Sequence, residues 1–225
     1  GLRVLVTTDI MFFNPTLEQN PGRRPSRVFG FLEQALDTFF VRFPSVCGIV
    51  SRIGEADGVD VQDHFRSRLL IRSPRQARRC LRSLLPVFEK HQRWWIFRTW
   101  SVGAYRIGDL IWNRDTFHST FAGIRSERLI LSMKYGETDF FRYLPLNRQF
   151  FRGHLPRLVE LQARREYEGA GQYPDFIGAD YEQYRNLLQG APHLAGVMVW
   201  CQTGGWTRFR RLTFVGPSCI WNEIN

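Results

Sequence analysis

The feature that most restricts this chain is the recurrence of short β-branched or apolar runs with helical patterns between them. The runs are Arg3–Ile10 (RVLVTTDI), Val46–Ile53, Trp94–Trp100, Arg128–Tyr135 (RLILSMKY), Arg157–Arg164 and Leu194–Gln202. Their starts lie roughly 30 to 48 residues apart, too far for hairpins and right for crossover connections. Between them, Val28, Phe31, Leu32, Ala35, Leu36 and Phe39 recur at helical spacing. That spacing predicts a helix over Arg27–Arg42 with Ser26 as its N-cap. Ser73 followed by Pro74 opens a second helix to about Lys90, serine capping and proline taking the first helical position. A short helix is expected over Arg114–Gly123, and another over Asp180–Gln189, ended by Gly190 and Pro192. The segment Phe13–Arg24 reads as a Pro/Asn/Gly-rich loop, and the turn-rich tail from Thr213 leaves room for a helix near Trp221–Glu223.

Short strands alternating with helices form a parallel sheet covered by those helices. No GxGxxG follows the first strand, which argues against a dinucleotide-binding fold, and no GxxxxGK[ST] marks a P-loop. A GxSxG nucleophile elbow is also absent. The expected class is α/β, a (β/α)8 TIM-type barrel incomplete in this chain, with 1–225 as one partial barrel domain. Gly1 stands inside a strand pattern without a signal-peptide layout, so the chain is expected to be part of a longer protein of unassigned compartment. No apolar run reaches the about 18 residues of a membrane span.

Charge alone would suggest a polyanion partner: 31 Lys+Arg against 21 Asp+Glu give a net charge of +10. The distribution says otherwise. Lys90 and Lys134 are the only lysines, and the arginines are scattered over helices, strands and loops, as an arginine-biased coding preference would produce. The densest stretch, Arg72–Arg82, reads as the solvated face of an amphipathic helix. Neither nucleic acid nor a membrane is expected as a partner. The four cysteines (Cys47, Cys80, Cys201, Cys219) have no CxxC or metal-ligand spacing and read as reduced, structural thiols. His64, His91, His118, His154 and His193 share no motif, so neither a metal nor another cofactor is implied.

In parallel barrels the chemistry sits at the C-terminal strand ends. There this chain places Asp9; Glu55 and Asp57; Arg98 and Trp100; Lys134, Glu137, Asp139 and Arg142; Glu160, Gln162, Arg164, Glu166 and Glu168; and Trp200, Gln202 and Trp206. Glycosidic cleavage needs one protonated carboxyl to donate to the leaving oxygen and one ionised carboxylate to activate water or attack the sugar. Aromatic faces stack on sugar rings, and guanidinium groups grip an anionic sugar bidentately. The plainer alternative is that these charges pair with one another at a solvated rim.

The segment LSMKYGETDFFRYLPLN followed by PRLVELQARREYEG resembles the core of the α-glucuronidases of glycoside hydrolase family 67. In that family a strand ending Val-Lys-Asn-Gly-Pro-(Ile/Leu)-Asp-Phe precedes a Leu-Gln-Ile-Thr-Gln-Glu-Tyr motif. Lys134, Gly136, Asp139 and Phe140 match the first; Glu160, Gln162, Glu166, Tyr167 and Gly169 match the second. GIVSRIGEADG resembles the strand that precedes the family's catalytic acid, and FRTW its Trp-Arg-(Ala/Ser)-Phe strand. The resemblance spans most of the chain and is densest from Arg128 to Gly169. It implies strands three to eight of the barrel and an inverting hydrolase of a uronic-acid-containing oligosaccharide. Glu55 is then the general acid, and Asp139 and Glu166 share the base role. Arg98, Trp100, Lys134, Arg142, Arg164 and Trp206 are the implied substrate contacts. This sequence departs from the family at Arg165, where the family has Gln, at Tyr135-Gly136-Glu137 for Asn-Gly-Pro, and at Phe141–Leu144 for Gln-Pro-Arg-Glu. These departures bear on which sugar is bound more than on reaction type. The alternatives are a degenerate, non-catalytic carbohydrate-binding or structural barrel relative and a barrel enzyme acting on a phosphorylated or other anionic metabolite.

Overall fold

The computed structural model describes residues 1–10, 12–13, 15–22, 24–54, 66–67, 69–101, 105–140, 144–162 and 178–200. The elements run β1 (Val4–Asp9), β2 (Phe12–Phe13), α1 (Pro15–Gln19), α2 (Pro25–Arg42), β3 (Val46–Arg52), β4 (Arg66–Ser67), α3 (Pro74–Lys90), β5 (Trp94–Arg98), α4 (Arg114–Phe121), β6 (Leu129–Lys134), β7 (Arg157–Gln162), α5 (Gly178–Leu188) and β8 (Leu194–Trp200). Short 3-10 helices occupy Arg106–Ile111 and Arg148–Phe151. The fold is parallel α/β, with six strands hydrogen-bonded in the order β1-β3-β5-β6-β7-β8. The small strands β2 and β4 pair antiparallel, Phe12 opposite Ser67. The chain divides into two compact units, Gly1–Leu131 and Ser132–Asn225.

In the first unit, β3 is the strand with the best-buried pleat, flanked by β1 and β5. Side chains alternate across it. Trp95 of β5 stacks on Phe88 of α3 with ring centroids 4.9 Å apart, and Phe97 meets Phe121 of α4 edge-on at 5.9 Å. These contacts fix the odd-numbered positions of β5 as its helix-facing side. The Trp95 indole N–H donates to Ser51 Oγ at 2.8 Å, so this large buried ring leaves no orphaned donor. Gly48 is required by close approach: a Cβ there would stand 2.2 Å from the carbonyl oxygen of Trp94. α3 buries Ala77, Cys80, Leu81, Leu84, Leu85 and Phe88 on one stripe and leaves Arg75, Arg79 and Arg82 exposed, the amphipathic arrangement expected for the basic stretch. Ser73 caps it as expected, accepting from the Gln76 N–H at 3.3 Å. α2 begins before its expected cap. Arg24 is the N-cap, without a side-chain cap bond, and Pro25 takes the first helical position. Proline's fixed φ and missing N–H set that start, so Ser26 falls inside the helix. α1 and the two 3-10 helices lie in segments read as loop or left unassigned.

In the second unit, β7 pairs parallel with β8, Glu160 opposite Met198. Tyr135, just beyond β6, stacks on Tyr184 of α5 with centroids 4.3 Å apart and planes inclined by 20°. Burial pushes the Tyr135 phenol well above its ordinary range, and Tyr184 adds to the shift. α5 is tied to the end of β7 by the Tyr181 hydroxyl, which donates to the carbonyl of Gln162.

Candidate functional site

Two polar groupings stand at C-terminal strand ends, one in each unit. In the first unit, Asp9 ends β1 and Arg52 ends β3, in register, and Arg52 Nε donates to Asp9 Oδ1 at 2.7 Å. Arg98 ends β5 in register with Arg52 and is buried. Beyond it Thr99 and Ser101 are buried, and Trp100 is half-buried. Ser101 Oγ donates to the carbonyl of Gly54 at 3.3 Å, tying the chain after β5 to the chain after β3. This bond anchors the backbone immediately before Glu55.

In the second unit, alternation again sorts the side chains. Ser132 of β6 donates to Glu160 Oε2 at 3.0 Å and lies 3.9 Å from Met198 Sδ of β8. Glu160 is 0% exposed and Gln162, two residues on, is also buried. One face of these strands therefore carries Ser132 and Lys134, Glu160 and Gln162, Met198 and Trp200. The opposite face carries Met133, Val159 and Leu161. A buried, hydrogen-bonded polar face on parallel strands is unusual for a core, where polar groups are costly to bury.

Lys134 and Asp139 meet at the end of β6. Lys134 is buried, its ammonium bonded to Asp139 Oδ1 and placed 4.3 Å from the centroid of the Phe140 ring. The same Asp139 oxygen accepts from the Phe140 backbone N–H at 2.9 Å. The loop carrying Asp139 is held at its base. Gly136 and Leu146 form an antiparallel bridge, and the buried Asn147 donates its backbone N–H to the Tyr135 carbonyl at 2.7 Å. A Cβ on Gly136 would stand 2.8 Å from Leu144 Cδ1, so a larger residue there would push the Leu144 side chain aside. Lys134 reaches Asp139 because the loop returns immediately after the strand.

Of the residues read from sequence as a site, Arg98, Trp100, Lys134 and Asp139 are described, and Lys134 and Asp139 form an ion pair. Glu55, Arg142, Arg164, Glu166 and Trp206 lie outside the described residues, as do Asp57, Glu168 and Gln202. The structure adds the partners Arg52 for Asp9 and Ser132 for Glu160. Their signal in the sequence was a polar residue at alternate positions of an otherwise apolar strand: Ser132 and Lys134 in LILSMK, Glu160 and Gln162 in RLVELQ. Cys47 and Cys80 are free thiols, and burial pushes the Cys80 thiol above its usual range. Among the described residues no three His, Cys, Asp or Glu side chains gather as a metal site, and no helix is long and apolar enough to cross a membrane. No protein-family model matches the chain, and no curated protein matches it.

Proposed function

We propose that the chain is a glycoside hydrolase acting on a uronic-acid-containing oligosaccharide, α-glucuronidase-like, through an inverting acid/base mechanism. We propose with it that the parallel sheet is a portion of a (β/α)8 barrel. The observation that carries this reading is the Lys134–Asp139 pair at the end of β6, beside strand faces that bury Ser132, Glu160 and Gln162. The Lys134 ammonium holds the Asp139 carboxylate at the strand end, and a positioned carboxylate is what a base needs to activate water. Glu55 is the proposed general acid, with Asp139 and Glu166 sharing the base role. Arg98, Lys134, Arg142 and Arg164 are the proposed grips on the sugar's carboxylate and hydroxyls, and Trp100 and Trp206 the stacking faces. The proposed mechanism requires no cofactor.

The test is hydrolysis of an α-glucuronide of an oligosaccharide by the full chain, with the first-formed anomer followed by proton NMR. The expected product has inverted configuration. Glu55→Gln keeps the shape of the acid but cannot donate a proton, and should slow the reaction about 10²–10⁴-fold. A substrate with an activated aryl leaving group should partly escape that loss. An initial product that keeps the substrate's configuration would make one carboxylate a nucleophile and refute inversion. Oligosaccharide binding without turnover would identify a non-catalytic relative instead.

A further inference from the structure

We propose that Glu160 is a positioning residue: from β7 it holds the ammonium of Lys134, which Asp139 holds from the loop after β6, so that one cation is clamped between two carboxylates. The clamp lies within the second unit and is read from its geometry; its use in turnover rests on the hydrolase reading. Glu160 has no role in the mechanism proposed above, and it is 0% exposed. The ladder fixes its neighbours. The Tyr135 backbone N–H donates to the Glu160 carbonyl at 3.3 Å. In a parallel pair an N–H reaches the carbonyl one residue before its partner, so Tyr135 stands opposite Leu161 and Lys134 opposite Glu160. The bond from the Ile10 N–H to the Arg52 carbonyl has the same offset, and there Asp9 is opposite Arg52. Opposite residues of a parallel pair share a face, so Lys134 and Glu160 project on the same side. On β8 the residue opposite Glu160 is Met198, which carries no charge. The in-register neighbours of Glu160 are thus one ammonium and one thioether.

Burial then selects the partner. Oε2 of Glu160 accepts from Ser132 Oγ at 3.0 Å, and a hydroxyl leaves a carboxylate's charge uncompensated. An enclosed carboxyl with no cation beside it takes up a proton instead of carrying a charge. The converse holds for an enclosed ammonium, and Lys134 is itself buried. Asp139 meets only part of its need, being partly exposed and sharing the bonded oxygen with the Phe140 N–H. An ammonium has three N–H donors, enough for Asp139 and Glu160 together. The value of a second carboxylate follows from the proposed base role of Asp139. As the water oxygen bonds the anomeric carbon, the water's proton passes to Asp139, which then ceases to be a counter-ion. Glu160, enclosed and outside that proton transfer, keeps the ammonium charged and in place through the step.

The test uses the scarcity of lysine. Lys90 and Lys134 are the only two, so the full chain labelled with carbon-13 at lysine Cε gives two NMR signals, assigned with Lys90→Arg. Glu160→Gln keeps the shape of the side chain and an acceptor for Ser132 but removes the charge. The expected result is that the titration midpoint of Lys134 falls by about 1 pH unit or more, while that of Lys90, bonded to Asp37, stays where it was. An unmoved Lys134 midpoint would overturn the clamp. If Glu160→Gln does not fold, Asp139→Asn decides: Glu160 should keep Lys134 an ammonium near neutral pH, and a neutral Lys134 there would overturn the clamp equally. In turnover of the α-glucuronide, Glu160→Gln should lower kcat/KM about 10²-fold. An unchanged kcat/KM beside a shifted midpoint would overturn the positioning role. Absence of hydrolysis by the unaltered chain would refute the hydrolase reading and with it the role in turnover, while the lysine titration still decides the clamp.

Discussion

Replacing Lys134 by Met keeps most of the aliphatic volume and removes the charge. Asp139 then retains the Phe140 N–H at 2.9 Å and loses the ammonium. Stripping one partner from a fully buried ion pair costs about 3–5 kcal/mol, because the other charge is left without compensation. Here the Asp139 side chain is 18% exposed, against 5% for Lys134, so water recovers part of the loss. The expected cost is about 2–3 kcal/mol, read as a shift in urea midpoint at unchanged slope. For a chain of this size that lowers the melting temperature by about 4–12 °C. Asp139→Asn removes the charge from the other side while preserving an acceptor for the Phe140 amide. In the double variant Lys134→Met/Asp139→Asn no carboxylate is stranded, and a coupling energy of about 1–2 kcal/mol should appear in the cycle. A loss below about 0.5 kcal/mol in Lys134→Met, or strictly additive single variants, would refute the idea that this pair holds the end of β6 together.

Gly48→Ala forces a Cβ to 2.2 Å from the Trp94 carbonyl oxygen, so β3 and β5 must separate locally; the expected cost is about 3 kcal/mol by chemical denaturation. Ser51→Ala strands the buried Trp95 indole N–H and should cost about 1–3 kcal/mol, with a change in indole fluorescence as the local readout. Asp37 sits below its ordinary range because Lys90 and His91 both bond its carboxylate. A depressed folded-state value means stability that is present above the unfolded-state pKa and lost as pH falls through the folded one. Asp37→Asn should therefore destabilise the chain near neutrality and leave its stability unchanged at about pH 2; an equal effect at both would contradict the pairing.

The alternation of strands and helices was legible because each strand was marked by a run of β-branched residues and each long helix by a 3.6-residue period. Where the flanking residues are described, strand bounds moved inward by one or two residues; β5, for example, ends at Arg98 rather than Trp100. The five-residue α1 escaped notice because so short a helix displays barely one period. At α2 two start signals competed, Ser26 as a cap and Pro25 as a first helical residue, and the covalent constraint of proline prevailed. The Lys134–Asp139 pair was open to sequence reading because both residues belong to one strand-end motif. The Ser132–Glu160 and Asp9–Arg52 contacts were not, since each depends on the register between two strands. A residue pattern says which positions share a face, but the register of a parallel pair is set by helix packing and crossover length together.

The parallel ladder has a consequence for how much change the connecting segments can absorb. Val4 pairs with Val46, Gly48 with Trp94 and Arg157 with Leu194, so each pairing closes a segment of roughly 40 residues. Closure entropy grows only as the logarithm of that length, and these three closures differ by about 0.2 kcal/mol. Lengthening a loop within such a segment therefore costs the ladder little closure entropy, while the interior of β3, with its Gly48–Trp94 approach, tolerates scarcely one added methyl. Added residues are therefore absorbed more cheaply in the loops that follow the strands than in the strands themselves, and new side chains can be tried there against an unaltered frame.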